Sequence, residues 1–312
     1  MNLPADILVY GSLNMDFVTY VHHLPQAGET IAASSFQMAP GGKAANQAVA
    51  ASRLGSSVAM VGRVGQDELG CQMKAFLEQD GVDCRYVLDA PGDHTGIATI
   101  AVDPTGQNSI VTYLGANGSV SIDDIDRTAP LLATARYAIL QMEMEQQVGE
   151  HIIRLAHEAG VRIVLNLAPV VPLDVAIYPL LELLIVNETE ASQLTGLAIH
   201  SLASAREAAE LLLRKGPGHV IVTLGRDGAL LCGPDVSEHY EPPRVQAVDA
   251  TAAGDCFVAA VTHFVNASGD LKEAIRQAVE VAALSVTRKG AQPSLPTMAE
   301  YEQFRRTKEV QP

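Results

Sequence analysis

The chain has 312 residues, 48% of them hydrophobic, which is enough for one large α/β domain with a sizeable core. Its formal net charge is −15, from 36 acidic and 21 basic residues. This balance argues against nucleic acid and anionic membranes as main partners, because both reward Lys and Arg. It leaves room for a phosphate ligand, since backbone amides and one or two cations can hold such a group locally.

The cysteines and the apolar runs exclude further classes. Four cysteines are scattered without CxxC spacing, so they form neither a zinc signature nor a disulfide framework, and reduced thiols are expected. No stretch approaches the ~18 consecutive apolar residues of a membrane span, and the N-terminus lacks a signal-peptide pattern. We therefore expect a soluble, cytoplasmic protein.

Strand and helix patterns alternate along most of the chain. In chain order the predicted elements are strand 7–10, helix 44–54, strand 58–64, helix 68–79, strand 137–141, helix 147–159, strands 161–165 and 183–186, helix 202–214, strand 219–224, and helices 254–265 and 271–287. This alternation predicts an α/β fold in three layers, with a mostly parallel central sheet and helices on both faces.

Two segments break that rhythm. Residues 17–39 carry β-type residues and turn signals but no helical pattern. Residues 96–102 and 109–113 alternate around the turn Asp103-Pro104-Thr105-Gly106, which is a hairpin signal. Together these segments predict a small separate sheet that acts as a lid over the edge where ligands of open α/β sheets bind.

The stretch VDATAAGD, residues 248–255, combines small residues with a Gly and an Asp directly before an apolar helical run. Small residues let the backbone turn tightly, and the first N–H groups of a helix suit an anion. A carboxylate there, Asp255, suits the removal of a proton from a hydroxyl that attacks a phosphate. The same carboxylate also complements the helix dipole, and the octapeptide alone fits either role.

Two further segments place polar groups beside predicted elements. The stretch GGKAAN, residues 41–46, opens the first long helix; it is not a Walker A motif, and alone it also fits an ordinary loop–helix junction. Asn14 and Asp16 follow the first strand at alternate positions, so in an extended segment they point to one side and suit two adjacent hydroxyls. In isolation, a polar turn is the simpler interpretation of that pair.

Taken together, these motifs resemble a known family. GGKAANQA at 41–48, NETE at 187–190 and VDATAAGD at 248–255 occur in order, and the tail VTRKGAQPS follows at 286–294. In this combination the chain resembles the PfkB carbohydrate kinases, and its tail resembles the ribokinase branch more than fructokinases or adenosine kinases. The resemblance covers about residues 7–304.

The resemblance implies a ribokinase-like fold and an ATP-dependent kinase that phosphorylates the 5-hydroxyl of D-ribose. The whole chain, 1–312, would be one kinase domain with lid segments at about 13–40 and 96–114. Asp255 would be the general base, and the amides of Ala252, Ala253 and Gly254 would form the anion hole. The implied sugar-binding residues are Asn14, Asp16, Gly42, Lys43, Asn46, Glu143 and Asp255.

The resemblance also implies a nucleotide site, ions and a dimer. Asn187 and Glu190 would act at ATP and its Mg²⁺, the Glu through water, and Thr223, Gly225 and Gly254 would line the nucleotide site. The residues matching a monovalent-cation site for K⁺, mostly through backbone carbonyls, are Asp249, Thr251, Ser285, Arg288, Gly290 and Ser294. Lids of this family pair into a homodimer, and we expect the outward lid face to carry Ile100, Val102 and Ile110.

The sequence departs from the family pattern at a few positions without losing a charged catalytic group. Ala44 and Ala252 stand where Gly is common, Leu167 where Pro is usual, and Val279 where His or Asn is frequent. The last two leave the mode of adenine binding open. Other open alternatives are the same chemistry on 2-deoxyribose or fructose and a non-catalytic sugar or nucleotide sensor; retention of Asp255 argues against a sensor.

Overall fold

The structure, a computed structural model, describes residues 5–309. The strands are β1 (Ile7–Tyr10), β2 (Asn14–Tyr20), β3 (Ser35–Gly41), β4 (Val58–Gly65), β5 (Asp83–Ala90), β6 (Gly96–Val102), β7 (Asn108–Tyr113), β8 (Tyr137–Leu140), β9 (Arg162–Asn166), β10 (Leu183–Asn187), β11 (His219–Thr223), β12 (Ala229–Gly233) and β13 (Val236–Tyr240). The helices are α1 (Lys43–Arg53), α2 (Glu68–Gln79), α3 (Ile122–Asp126), α4 (Ala129–Leu132), α5 (Gln146–Glu158), α6 (Glu188–Thr195), α7 (Leu202–Leu213), α8 (Ala253–Ser268), α9 (Leu271–Ser285) and α10 (Met298–Glu309).

The central sheet has nine strands in the order β13-β12-β11-β10-β9-β8-β1-β4-β5. From β11 to β5 every neighbouring pair is parallel, and only β12 and β13 add antiparallel strands at one edge. The predicted mostly parallel sheet is therefore confirmed. Parallel strands end at the same edge, so the loops that follow β1, β8, β9, β10 and β11 converge there.

Alternation along the central strands builds two hydrophobic cores. In β1, Ile7 and Val9 pack into one core with α1, α8 and α9, while Leu8 and Tyr10 pack into the other with α5 and α7. Such double burial requires continuous apolar strands, which is what parallel sheets with helices on both faces show. The result is the predicted three-layer α/β/α arrangement.

The four remaining strands form a small sheet in the order β3-β2-β6-β7. β2 pairs antiparallel with β3 and parallel with β6, and β6 and β7 form the predicted hairpin. These strands lie in the two segments that the sequence marked as a lid. The prediction of a separate small sheet is confirmed.

Most predicted bounds agree with the structure to within two or three residues. The elements absent from the sequence-based prediction are β5, the antiparallel edge strands β12 and β13, the short helices α3, α4 and α6, and the last helix α10. Within residues 5–309, no helix has the length and apolar character needed to cross a membrane. All four cysteines are free thiols, three of them buried.

Candidate active site

Asp255 lies in the first turn of α8, buried at the carboxyl edge of the central sheet. Its Oδ2 accepts a hydrogen bond of 2.9 Å from Asn46 Nδ2, and its Oδ1 accepts one of 3.0 Å from Gln47 Nε2. Burial raises the pKa of Asp255 to about 6, against the opposing effects of the Lys43 charge and the two amides. A carboxylate with such a pKa is ionised at neutral pH yet basic enough to accept a proton.

The small sheet brings Asp16 to the same place. Burial raises the pKa of Asp16 to about 7, and the neighbouring carboxylates of Glu143 and Asp255 add to the shift. A Cβ on Gly41 would collide with the Asp16 carboxylate, so that position needs a glycine. The Asp16 side chain is half-buried in β2 of the small sheet. It lies two residues after Asn14 and on the same face of that strand.

Lys43 supplies the positive charge of the site from the first position of α1. Burial alone would lower its pKa, but the carboxylates of Asp255, Glu143 and Glu190 outweigh this and raise it. Gly42 precedes it with φ of 90°, and a Cβ there would lie 2.7 Å from the Ser12 carbonyl oxygen. The glycine thus lets the start of α1 approach the loop after β1.

Two positioning contacts were not predicted from the sequence. Asn117, in the turn after β7, donates from Nδ2 to Asn14 Oδ1 (2.8 Å) and accepts from the Leu13 amide (2.9 Å). Ser12 donates to a Glu143 carboxylate oxygen through its hydroxyl. Neither Asn117 nor Ser12 belongs to a motif that the sequence marked. Each contacts a residue that is distant in the chain, Asn14 for Asn117 and Glu143 for Ser12.

A network of amides behind Asp255 was also missed. Gln47 Nε2 donates to Asn166 Oδ1 (3.2 Å) as well as to Asp255, and Gln47 Oε1 accepts from Gln141 Nε2. All of these amides are wholly or largely withdrawn from solvent. The available signal was the place of Gln47 inside the conspicuous GGKAANQA stretch.

The turn into α8 has an unusual backbone. Ala252 has φ of 60°, the one positive φ at a non-glycine position among residues 5–309. The left-handed region costs an L-residue roughly 1–2 kcal/mol, and such strain concentrates at functional sites. A Cβ on Gly254 would meet nothing within 4 Å, so its backbone faces open space. The Ala253 amide, by contrast, donates to the Ala250 carbonyl at 3.2 Å.

The implied nucleotide residues lie at neighbouring strand ends. Asn187 of β10 pairs in register with Thr223 of β11, and Gly225 follows with φ of 54°. Asn187 also caps α6: its Oδ1 accepts from the Glu190 amide, and a Glu190 carboxylate oxygen accepts from the Asn187 amide, both at 2.8 Å. Burial raises the pKa of Glu190, although the Asn187 amide and Lys43 oppose the shift.

Two of the implied cation residues, Thr251 and Gly290, donate to the carboxylate of a third, Asp249. Asp249 Oδ1 accepts from the amide (2.9 Å) and hydroxyl (2.6 Å) of Thr251, and Oδ2 accepts from the Gly290 amide (2.8 Å). Ser285 and Ser294 are buried, and their hydroxyls donate to backbone carbonyls nearby. Arg288 instead points to Glu300 of α10, with Nη2 2.9 Å from the carboxylate. No group of three or more His, Cys, Asp or Glu side chains within residues 5–309 is arranged to hold a metal.

A cleft of about 480 Å³ lies between the central body and the small sheet. Lys43, Glu143 and Glu190 line it from the central body, and Asn14 lines it from β2 of the small sheet. Thr112, Tyr113 and Leu114 line it from the end of β7, so the small sheet borders the cleft. Lys43 and Glu143 of the candidate sugar site and Glu190 of the candidate nucleotide site thus face one common space.

Three of the four departures from the family pattern, all except Ala252, are packed in the cores. Ala44 and Leu167 are fully buried, and Val279 of α9 is 4% exposed. Gly11 leaves room for Ala44, because a Cβ on Gly11 would lie 2.8 Å from the Ala44 Cβ. These apolar side chains contribute to packing and bring no polar group to the cleft.

Comparison with known proteins agrees with the fold. The sequence model of the pfkB family carbohydrate kinases matches residues 4–298. A deoxyribokinase of Salmonella typhi is 38% identical, over 96% of this chain and 98% of that protein, and a ribokinase of Haemophilus influenzae is 37% identical over 96% and 97%. A solved Arabidopsis thaliana ribokinase, complexed with ribose and ATP, superposes with a TM-score of 0.88 at 30% identity, covering 97% and 99% of the two chains.

The three-layer fold with its small sheet is the fold of the solved ribokinase. The chain belongs to the pfkB family of carbohydrate kinases.

Proposed function

We propose that the protein transfers the γ-phosphoryl group of ATP to the 5-hydroxyl of D-ribose and so forms D-ribose 5-phosphate. The observation that carries this proposal is the position of Asp255, buried at the start of α8 and held by two amides beside the cleft. There Asp255 acts as general base for the attacking hydroxyl. Family membership and the ribose- and ATP-bound Arabidopsis thaliana relative support the choice of substrates.

In this mechanism the chain mainly positions groups and balances charge. Asn14, Asp16, Asn46 and Glu143 hold the sugar hydroxyls, while the open backbone of Gly254 and the strained turn before it receive the phosphoryl group. The Ala253 amide donates to the Ala250 carbonyl, so it joins this anion hole only by breaking that hydrogen bond and donating to the phosphoryl group instead. Lys43, surrounded by carboxylates, offsets their charge when the anionic nucleotide enters.

The residues at the nucleotide end fit a magnesium ion held largely through water. The Glu190 carboxylate lines the cleft next to Asn187, and Mg²⁺ prefers few protein oxygens together with waters and phosphates. When bound, the ion would neutralise charge on the transferred phosphoryl group. Asn187 and Glu190 orient that end of the cleft, and Thr223 and Gly225 border the nucleotide.

The second candidate is the same chemistry on 2-deoxyribose, because the Salmonella typhi relative is a deoxyribokinase at the same level of identity. Fructose and a non-catalytic sensor role are weaker alternatives, and a sensor has no need of a buried base. Coupled ADP release with ribose, 2-deoxyribose and fructose separates these substrates, and we expect the highest kcat/KM with ribose.

Asp255→Asn tests the base. The change keeps the shape but removes the proton acceptor, so kcat should fall by roughly 10²–10⁴-fold while sugar binding, measured by calorimetry, falls less. A variant that retained near-normal kcat would refute the assignment of Asp255.

A further inference from the structure

The amide network behind Asp255 has a defined direction. Asn166 Nδ2 donates to the Ile185 backbone carbonyl of β10 at 3.2 Å, and a carbonyl oxygen can only accept. Asn166 must therefore turn its oxygen to Gln47. Gln47 in turn must present its NH₂ group there, and the same NH₂ group reaches Asp255. Gln141 completes the arrangement by donating to Gln47 Oε1.

Gln47 is consequently held at both ends of its amide. It is fully buried on α1, and its partners come from α8, from the end of β9 and from the loop after β8. A flipped amide would place its oxygen against the oxygens of both Asn166 and Asp255. The backbone carbonyl of β10 thus fixes which atom of Gln47 faces the base.

Both protein partners of the Asp255 carboxylate are donors, namely Asn46 on Oδ2 and Gln47 on Oδ1. Donors stabilise the ionised form, because a protonated carboxyl would set its own O–H against an N–H. The other charged or titratable groups around Asp255 are Lys43, Glu143, Asp16 and the buried thiol of Cys256. Of these only Lys43 favours the carboxylate electrostatically, so the amides counter the burial and the neighbouring acids.

We propose that Gln47 is a positioning residue for the phosphoryl-transfer step. Its N–H holds the Asp255 carboxylate ionised and aimed at the sugar hydroxyl. Asn166 and the β10 backbone set the direction of that N–H. This inference rests on the proposed function, because it takes Asp255 as the base. It assigns a role in turnover to a fully buried side chain that does not line the cleft.

The test is the pH dependence of kcat in Gln47→Met, a change that keeps size and removes the donor. We measure kcat at saturating sugar and ATP, because the titration of Asp16 also enters kcat/KM. Losing a hydrogen bond to the carboxylate should move the acid limb upward by about one pH unit, so the loss of rate is larger at pH 6 than at pH 8. Gln141→Met is the matched control: it makes the same change one step away from Asp255, and its acid limb should stay near that of the wild type.

Several outcomes overturn the proposal. It fails if Gln47→Met melts cooperatively, binds ribose by calorimetry and keeps the wild-type acid limb, or if Gln141→Met moves the limb as far. If Gln47→Met does not fold, Gln47→Asn replaces it: this change keeps an amide but shortens the side chain by one methylene, so its N–H no longer reaches Asp255. The acid limb must again move upward, and an unmoved limb refutes the proposal. Asp255→Asn separates the two claims. If Asp255→Asn is active, Asp255 is not the base and the proposed function fails. If Asp255→Asn is inactive and the acid limb of Gln47→Met does not move, only the role of Gln47 is refuted.

Discussion

The side-chain oxygen of Asn46 is buried and has no hydrogen-bond donor within residues 5–309. Its amide nitrogen is committed to Asp255, so the oxygen is held in place as an acceptor. An unsatisfied buried acceptor costs about 1–3 kcal/mol, and a sugar hydroxyl that donates to it would recover that cost. At the residue scale, we therefore expect a bound sugar to donate a hydrogen bond to this atom.

Asp16 determines the first prediction at this scale. If its carboxylate accepts from adjacent ring hydroxyls, Asp16→Ala leaves those hydroxyls unpaired, and each lost bond to a charged group costs about 1.5–3 kcal/mol. KM for ribose should rise markedly, and KM for 2-deoxyribose should rise less if the 2-hydroxyl is one partner. Steady-state kinetics with both sugars measures this, and an equal penalty would exclude the 2-hydroxyl.

The raised pKa of Asp16 gives the same residue a pH signature. With a pKa of about 7, Asp16 is largely protonated at pH 6 and ionised at pH 8. Hydrogen bonds that require its ionised form are therefore gained as pH rises, and the KM for ribose should fall across this range. Asp16→Asn, which cannot titrate, should flatten the response; a slope retained in that variant would assign it to another group.

At the scale of elements, the start of α8 depends on contacts from outside the helix. Ala252 begins it in the left-handed region and no side chain caps it, whereas Asn187 caps α6. The preceding turn is tied by Asp249, which accepts from Thr251 on one side and Gly290 on the other. The loop after α9 thus supports the loop that carries the proposed anion hole.

We predict that a large monovalent cation strengthens this link. Backbone carbonyls in the two loops offer hard oxygen ligands, and the cation would act by ordering the turn before Gly254. Activity should rise with potassium or caesium and stay low in sodium or lithium at matched ionic strength. Asp249→Ala removes the hydrogen bonds to Thr251 and Gly290 and should abolish the dependence of activity on the cation. A flat response of the wild type across these ions would contradict the prediction.

At the scale of the whole molecule, cross-strand register corrects one expectation about the small sheet. Val18, Ile100 and Ile110 stand side by side on neighbouring strands, on the face that also carries Asp16. Because Asp16 belongs to the candidate site, Ile100, Val102 and Ile110 lie on the face of the site and not on the outward face, although Ile110 is 53% exposed. The outward face instead carries the exposed side chains of Phe36, Met38 and Val111.

This exposed outward face leads to the last prediction, a homodimer through the small sheet. A thin sheet with apolar side chains on both faces gains stability from a partner sheet. Val111→Lys should produce monomers with weaker ribose affinity, as measured by sedimentation at micromolar concentration and by calorimetry. Ile110→Lys, its neighbour on the opposite face, is the control and should stay dimeric. A wild-type monomer with normal turnover would disprove the dimer.

The sequence by itself determined the parallel α/β/α architecture, the separate small sheet, and the motifs that lead to the family. These features depend on local periodicity, on turn residues and on positions that require glycine, such as Gly41 and Gly42. All of these signals come from residues that are close together in the sequence. Edge strands such as β12 and β13, and helix α10, have weaker local patterns, and their pairing depends on the sheet and helices already in place.

Only the tertiary structure decided which polar groups meet. Gln141, Asn166 and Gln47 come from distant parts of the chain, as do Asn117 and Asn14, and no spacing along the sequence reveals their hydrogen bonds. The same holds for the outward face of the small sheet, because a strand pattern shows alternation but not which side faces the cleft. The orientation of the Asp255 carboxylate depends on a carbonyl of β10, seventy residues away, and that contact exists only after the central sheet has aligned its strand ends.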